Sequence, residues 1–73
     1  KPLRQSIIDY LHNLFLKQNS KTLQIPTTKK EIADLLGVQR TSLSRELNKM
    51  KQEGLIDYNS KIIIVKDESI FDD

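Results

Sequence analysis

The chain has no cysteine and only one histidine among its 73 residues. The first absence excludes disulfide staples and thiolate metal sites, and it permits a reducing compartment without requiring one. The second leaves His12 with no other histidine or cysteine to share a metal, so it reads as a surface residue among Asp9, Asn13 and Lys17. No signal peptide is evident, and no apolar run approaches the roughly 20 residues of a membrane-spanning helix. A soluble, cytoplasmic protein with no membrane partner is expected. Phosphate-binding loops, glycine-rich turns and nucleophile–base motifs are missing too, which removes the usual support for an enzyme. There is no internal repeat, low-complexity segment or interdomain linker. Residues 1–73 are expected to form one small domain, and a start at Lys1 rather than methionine reads as a fragment or a processed product. A domain of this size buries only about 60% of the surface its unfolded chain exposes, so its stability margin is modest.

Glycine is scarce, and both copies fall where a helix should stop: Gly37 and Gly54. Between Thr28 and Glu53 the sequence reads as two short helices joined by a turn at Gly37, a helix-turn-helix. Thr28-x-x-Glu31 is a capping box that starts the first helix, and Ile32, Leu35 and Leu36 supply an apolar stripe. Ala33 is small where a second helix must cross closely. The second helix starts near Gln39 and runs to about Glu53. Its Leu43, Leu47 and Met50 recur at i, i+4 and i+7 and face the core, leaving Arg40, Thr41, Ser44, Arg45 and Asn48 outside. That outward strip carries hydroxyls, an amide and two guanidinium forks, the groups that read base edges in duplex DNA. Lys49 and Lys51 read as solvated helix residues.

The flanks supply support. Pro2 suits a helix start, and Leu3, Ile7, Ile8, Leu11, Leu14 and Phe15 follow at helical spacing, predicting a helix from about Pro2 to Lys17. Thr22 to Ile25 alternates and ends at Pro26, as a short strand that needs a partner later in the chain. That partner is a hairpin made of Leu55 to Tyr58, a turn at Asn59-Ser60, and Lys61 to Val65, with Lys61 near its tip. The Ile62 to Val65 run does not alternate and reads as covered on both faces. Asp67 to Phe71 predicts one terminal helical turn, with Ile70 and Phe71 packing back and a frayed acidic end. Helix, strand, helix-turn-helix, hairpin is the order of a winged helix, an α+β fold with a three-helix core, a small antiparallel sheet and a hairpin wing. The predicted core is Leu3, Ile7, Leu11, Leu14, Ile25, Ile32, Leu35, Leu36, Val38, Leu43, Leu47, Met50, Leu55, Ile56, Ile62 and Ile64.

Net charge is +2 overall but unevenly placed: residues 1 to 65 carry eleven bases against six acids, while Lys66 to Asp73 carry four acids and one base. A basic body suits a polyanionic partner, although an ordinary solvated surface has the same look.

Three fragments in register, Thr28-x-x-Glu31-Ile32-Ala33-x-x-Leu36-Gly37-Val38, Arg40-x-x-Leu43-Ser44-Arg45-x-Leu47, and Gly54-Leu55-Ile56 with its hairpin, resemble the C-terminal DNA-binding domain of the Crp/Fnr regulators. The likeness spans nearly the whole chain. It implies sequence-specific binding of double-stranded promoter DNA as the output domain of a bacterial transcription regulator. It also implies an N-terminal effector domain and a dimerisation helix outside these residues, a homodimer formed through that missing segment, and RNA polymerase as a further contact. No cofactor is expected in this domain, since the effector, a cyclic nucleotide or another signal, binds elsewhere. Carried over by position, Arg40, Thr41, Ser44 and Arg45 are the base-reading residues, with Arg45 donating to guanine O6 and N7. Thr28, Gln39 and Ser42 hold phosphates in the family, and Lys30, Asn59 and Lys61 make the second set of backbone contacts. Two positions depart from the pattern. Thr41 stands where the family often has a glutamate that contacts cytosine, so a different half-site is expected. Glu46 stands where many such motifs are apolar, and is expected to be solvated.

A winged helix can serve protein contact instead, though such domains usually lose the basic strip. The bland alternative for the arginines is intramolecular pairing, Arg40 with Asp34 and Arg45 with a nearby carboxylate.

Overall fold

A computed structural model describes residues 1–72; Asp73, the last acid of the tail, lies outside the described residues. Helix α1 spans Leu3–Gln18, β1 Thr22–Gln24, α2 Lys29–Leu36, α3 Arg40–Gln52, β2 Ile56–Tyr58 and β3 Ile62–Val65, and a 3-10 turn follows at Glu68–Phe71. Pro2 caps α1 rather than joining it, with its carbonyl accepting from the Ser6 amide at 3.1 Å. The helix ends at Asn19, whose left-handed conformation (φ 50°) lets its amide close onto the Phe15 carbonyl.

The three helices and the antiparallel sheet form the α+β winged helix-turn-helix. Strand order is β1-β3-β2, with Leu23 opposite Ile63 and Ile56 opposite Val65. The strand at 22–24 therefore does find its partner in the hairpin. Its outer edge is blunted by side chains: Gln18 donates to the Gln24 carbonyl and accepts from the Gln24 amide, both at 2.8 Å, and Ser20 Oγ accepts from the Thr22 amide. An edge whose polar groups are already occupied offers little to another strand.

The core gathers Ile7 and Leu11 of α1, Ile32 and Ala33 of α2, Leu43, Leu47 and Met50 of α3, and Leu23, Ile56, Ile63 and Val65 of the sheet. The core differs from the sequence expectation at β3 and at Leu35. Ile62 and Ile64 are half-buried on the outer sheet face, and Ile63 and Val65 point inward in their place. Side chains alternate along a strand, and a run of four apolar residues carries no mark of which pair faces in. Leu35 is 70% exposed, because α2 turns Ile32 and Ala33 toward α3 and leaves Leu35 beside a shallow groove formed with Ser6, Asp9 and Tyr10 of α1. Ala33, with almost no bulk, is fully buried in the core.

Ile70 and Phe71 pack back as expected. Phe71 lies 4.7 Å from the His12 ring in a stacked arrangement and 5.2 Å from Phe15. His12 is thus half-buried and used in packing rather than standing free on the surface. No helix among the described residues is long and apolar enough to cross a membrane.

Candidate nucleic-acid interface

Local chemistry fixes where α2 begins. Thr28 Oγ1 accepts from the Glu31 amide at 3.2 Å, and Glu31 Oε1 accepts from the Thr28 amide at 3.1 Å, so the capping box is closed in both directions. The helix stops at Gly37 (φ 72°), after which the Val38 amide closes onto the Ala33 carbonyl at 2.9 Å. The three-residue turn then starts α3 at Arg40. With Leu43, Leu47 and Met50 held in the core, Arg40, Thr41, Ser44, Arg45 and Asn48 are turned outward.

They line an open groove of about 600 Å³, together with Thr28, Lys29 and Lys30 from the start of α2. Four cations border the groove and no carboxylate does. The nearest acid of α2, Glu31, is turned back into its own cap. Among the described residues neither Arg40 nor Arg45 forms an ion pair; the proposed Arg40–Asp34 pairing does not occur. Both forks are left for another partner.

A second open groove, of about 540 Å³, adjoins the first and shares Thr28 and Lys29 with it. Its far side is the hairpin tip, Ser60 and Lys61. The tip is held by Asn59, whose Oδ1 accepts from the amides of Lys61 (2.8 Å) and Ile62 (3.0 Å). Lys61 is thereby projected at the end of a short, internally bonded turn. A polar, cationic surface therefore runs from α3 across the start of α2 to the wing. The Crp-like helix-turn-helix domain model matches residues 5–69.

The chain belongs to the Crp-like helix-turn-helix family. This is a family of DNA-binding, non-enzymatic domains of transcription regulation. No curated protein matches the chain.

Within this Crp-like domain, six of the residues singled out from the sequence meet in the first groove: Thr28, Lys30, Arg40, Thr41, Ser44 and Arg45. Lys61 joins them through the second. Gln39, Ser42 and Asn59 line neither. Gln39 caps α3 through its backbone with its side chain unengaged, Ser42 is half-buried in the first turn, and the Asn59 oxygen is committed to the hairpin. Lys29 borders both grooves and was not singled out, although its place beside Lys30 in the first turn of α2 was a usable signal.

Glu46 departs from expectation. It is not solvated but accepts from Arg4 Nε at 2.7 Å, while the two terminal nitrogens of Arg4 reach Glu53 at 2.9 and 2.7 Å. The Arg4 hydrogen bonds hold the Glu53 carboxyl below its ordinary range. The one acid of α3 and the acid at its C-cap are thus both paired by α1.

Proposed function

We propose that this domain recognises a specific double-stranded DNA sequence as the output domain of a Crp/Fnr-type transcription regulator, with α3 in the major groove. The observation that carries the reading is the acid-free groove in which Arg40, Thr41, Ser44 and Arg45 of α3 stand beside Thr28 and Lys30 of α2. Base edges are read from such a strip, and Arg45 is the residue suited to bidentate donation to guanine. Arg40 and Ser44 contact neighbouring bases, and Thr41 meets a thymine methyl or a polar edge in place of the family's glutamate contact. Thr28, Lys30, Gln39, Ser42, Asn59 and Lys61 hold phosphates and set register without reading sequence. Promoter DNA is the partner; a homodimer formed through a segment outside these 73 residues places two recognition helices about 34 Å apart, and RNA polymerase is a further contact.

Titration of the domain with random duplex DNA at rising salt tests the reading. Binding should weaken steeply, because each neutralised phosphate releases condensed counterions. Absent or salt-insensitive binding would overturn it in favour of a winged helix used for protein contact. The isolated domain is expected to bind weakly, since one half-site supplies about half of the contacts.

A further inference from the structure

The outward strip of α3 does not stop at Asn48. Arg40, Ser44, Asn48 and Lys51 follow one another at intervals of four, four and three, which keeps them on one side of the helix. Lys51 therefore carries the strip into the last turn, roughly 10 Å along the axis from Ser44 at 1.5 Å per residue. There it meets the hairpin. Lys51 Nζ lies 5.6 Å from the centroid of the Tyr58 ring, and Lys29 Nζ, from the start of α2, lies 4.6 Å from the same centroid. Tyr58 is half-buried and anchored in β2 against Ile63, so the ring is a fixed platform for both ammonium groups.

Two like charges from separate helices share one ring, and a single carboxylate pairs with one of them. Asp57 Oδ1 lies 3.5 Å from Lys51 Nζ and also accepts from the Tyr58 amide at 2.8 Å. Lys29 has no ion pair among the described residues. One cation is therefore left over, at the place where a helix inserted by its N-terminal end leaves the groove and passes the backbone.

We propose that Lys29, Lys51 and Tyr58 form a phosphate seat for duplex DNA, distinct from the base-reading strip, and that Asp57 holds Lys51 as an internal competitor which the incoming phosphate displaces. The seat rests on the DNA-binding reading and adds a backbone contact made jointly by α2, α3 and the wing. It sets how deeply α3 enters, and Asp57 lowers the affinity for every duplex alike.

The test is the salt dependence of duplex binding by the 73-residue domain. Lys51→Gln and Lys29→Gln should each make the slope of log K against log salt shallower by about 0.9, the share of one phosphate, on specific and random duplexes alike. Between about 50 and 200 mM salt that amounts to roughly 3.5-fold less loss of affinity. Asp57→Asn keeps an oxygen for the Tyr58 amide and should tighten binding to every duplex, and the gain should vanish in the Asp57→Asn, Lys51→Gln double variant. Lys49→Gln removes the same charge from α3 away from the strip and is expected to leave the slope unchanged. If Lys51→Gln and Lys29→Gln match Lys49→Gln while the unsubstituted domain binds with a normal salt slope, the seat is refuted and the DNA-binding reading stands. If the unsubstituted domain binds no duplex at all, both fall. A tightening by Asp57→Asn that survives in the double variant refutes the competitor role.

Discussion

Arg4 and Glu46, 42 residues apart in sequence, are joined by a 2.7 Å bond from the guanidinium Nε to Oε2. The same guanidinium spans to Glu53, so one side chain of α1 ties down a carboxylate of α3 and the carboxylate of its C-cap. Charge-assisted bonds of this kind are directional, and here they hold the angle between α1 and the helix that carries the outward strip. They also neutralise these two acids, neither of which borders the groove.

Arg4→Gln should therefore destabilise the domain. Glu46 is mostly covered, so its pairing sits at the upper end of surface values, about 1 kcal/mol, or about 4–8 °C in Tm for a domain of this size. The substitution should also alter the acid limb. Arg4 holds Glu53 below its ordinary 4.5, so the Glu53 contribution is fully present above that pH and is lost as pH falls through the lowered folded value. Thermal melts from neutral pH down to pH 2.5 should show a shallower acid loss in Arg4→Gln than in the unsubstituted chain, and identical slopes would refute the pairing. Asp57 and Asp67 remain as further acid-labile groups, lowered chiefly by the Tyr58 amide and by Ser69 respectively.

Leu35 and Leu43 are both leucines of the helix-turn-helix, yet their substitution should differ sharply. Leu43 is 1% exposed, and Leu43→Ala should cost about 2–5 kcal/mol, enough to unfold much of a marginal domain. Leu35→Ser should stay within about 0.5 kcal/mol, as for other exposed positions. Urea denaturation of the two variants measures the contrast directly.

Gly37→Ala isolates a backbone effect. A Cβ added there meets nothing within 4 Å, so no clash contributes, but the left-handed conformation (φ 72°) is unfavourable for an L side chain. The expected loss is about 1–2 kcal/mol by equilibrium denaturation, and a neutral result would show that the turn relaxes to another conformation.

Arg45→Ala and Lys61→Ala separate base reading from backbone holding. The first should remove about 1–3 kcal/mol of discrimination between specific and random duplexes. The second should weaken both by the same factor and reduce the salt slope. An equal loss on both duplexes for Arg45→Ala would rule out its base-reading role.

The sequence by itself determined what rests on near neighbours. Thr28 and Glu31 close their box across three residues, Gly37 and Gly54 stop their helices through left-handed backbone, and Leu43, Leu47 and Met50 select the inner face of α3 through the helical repeat. From these the order of elements, the winged fold and the outward strip all follow. Only the tertiary structure decided the questions of phase and of distant pairing. The four apolar residues of β3 carry no alternation, so the choice of Ile63 and Val65 over Ile62 and Ile64 was made by register against Leu23 and Ile56. Leu35 lost its place in the core because α2 buries Ile32 and Ala33 and leaves Leu35 beside the open groove that α1 borders. Glu46 found Arg4, and Lys29 and Lys51 each came to lie over Tyr58, because the packing of whole elements brought together residues that no local pattern connects. Helix caps and the steric limits of the backbone act within a few residues, whereas sheet register, ion pairs and grooves depend on where whole elements are packed.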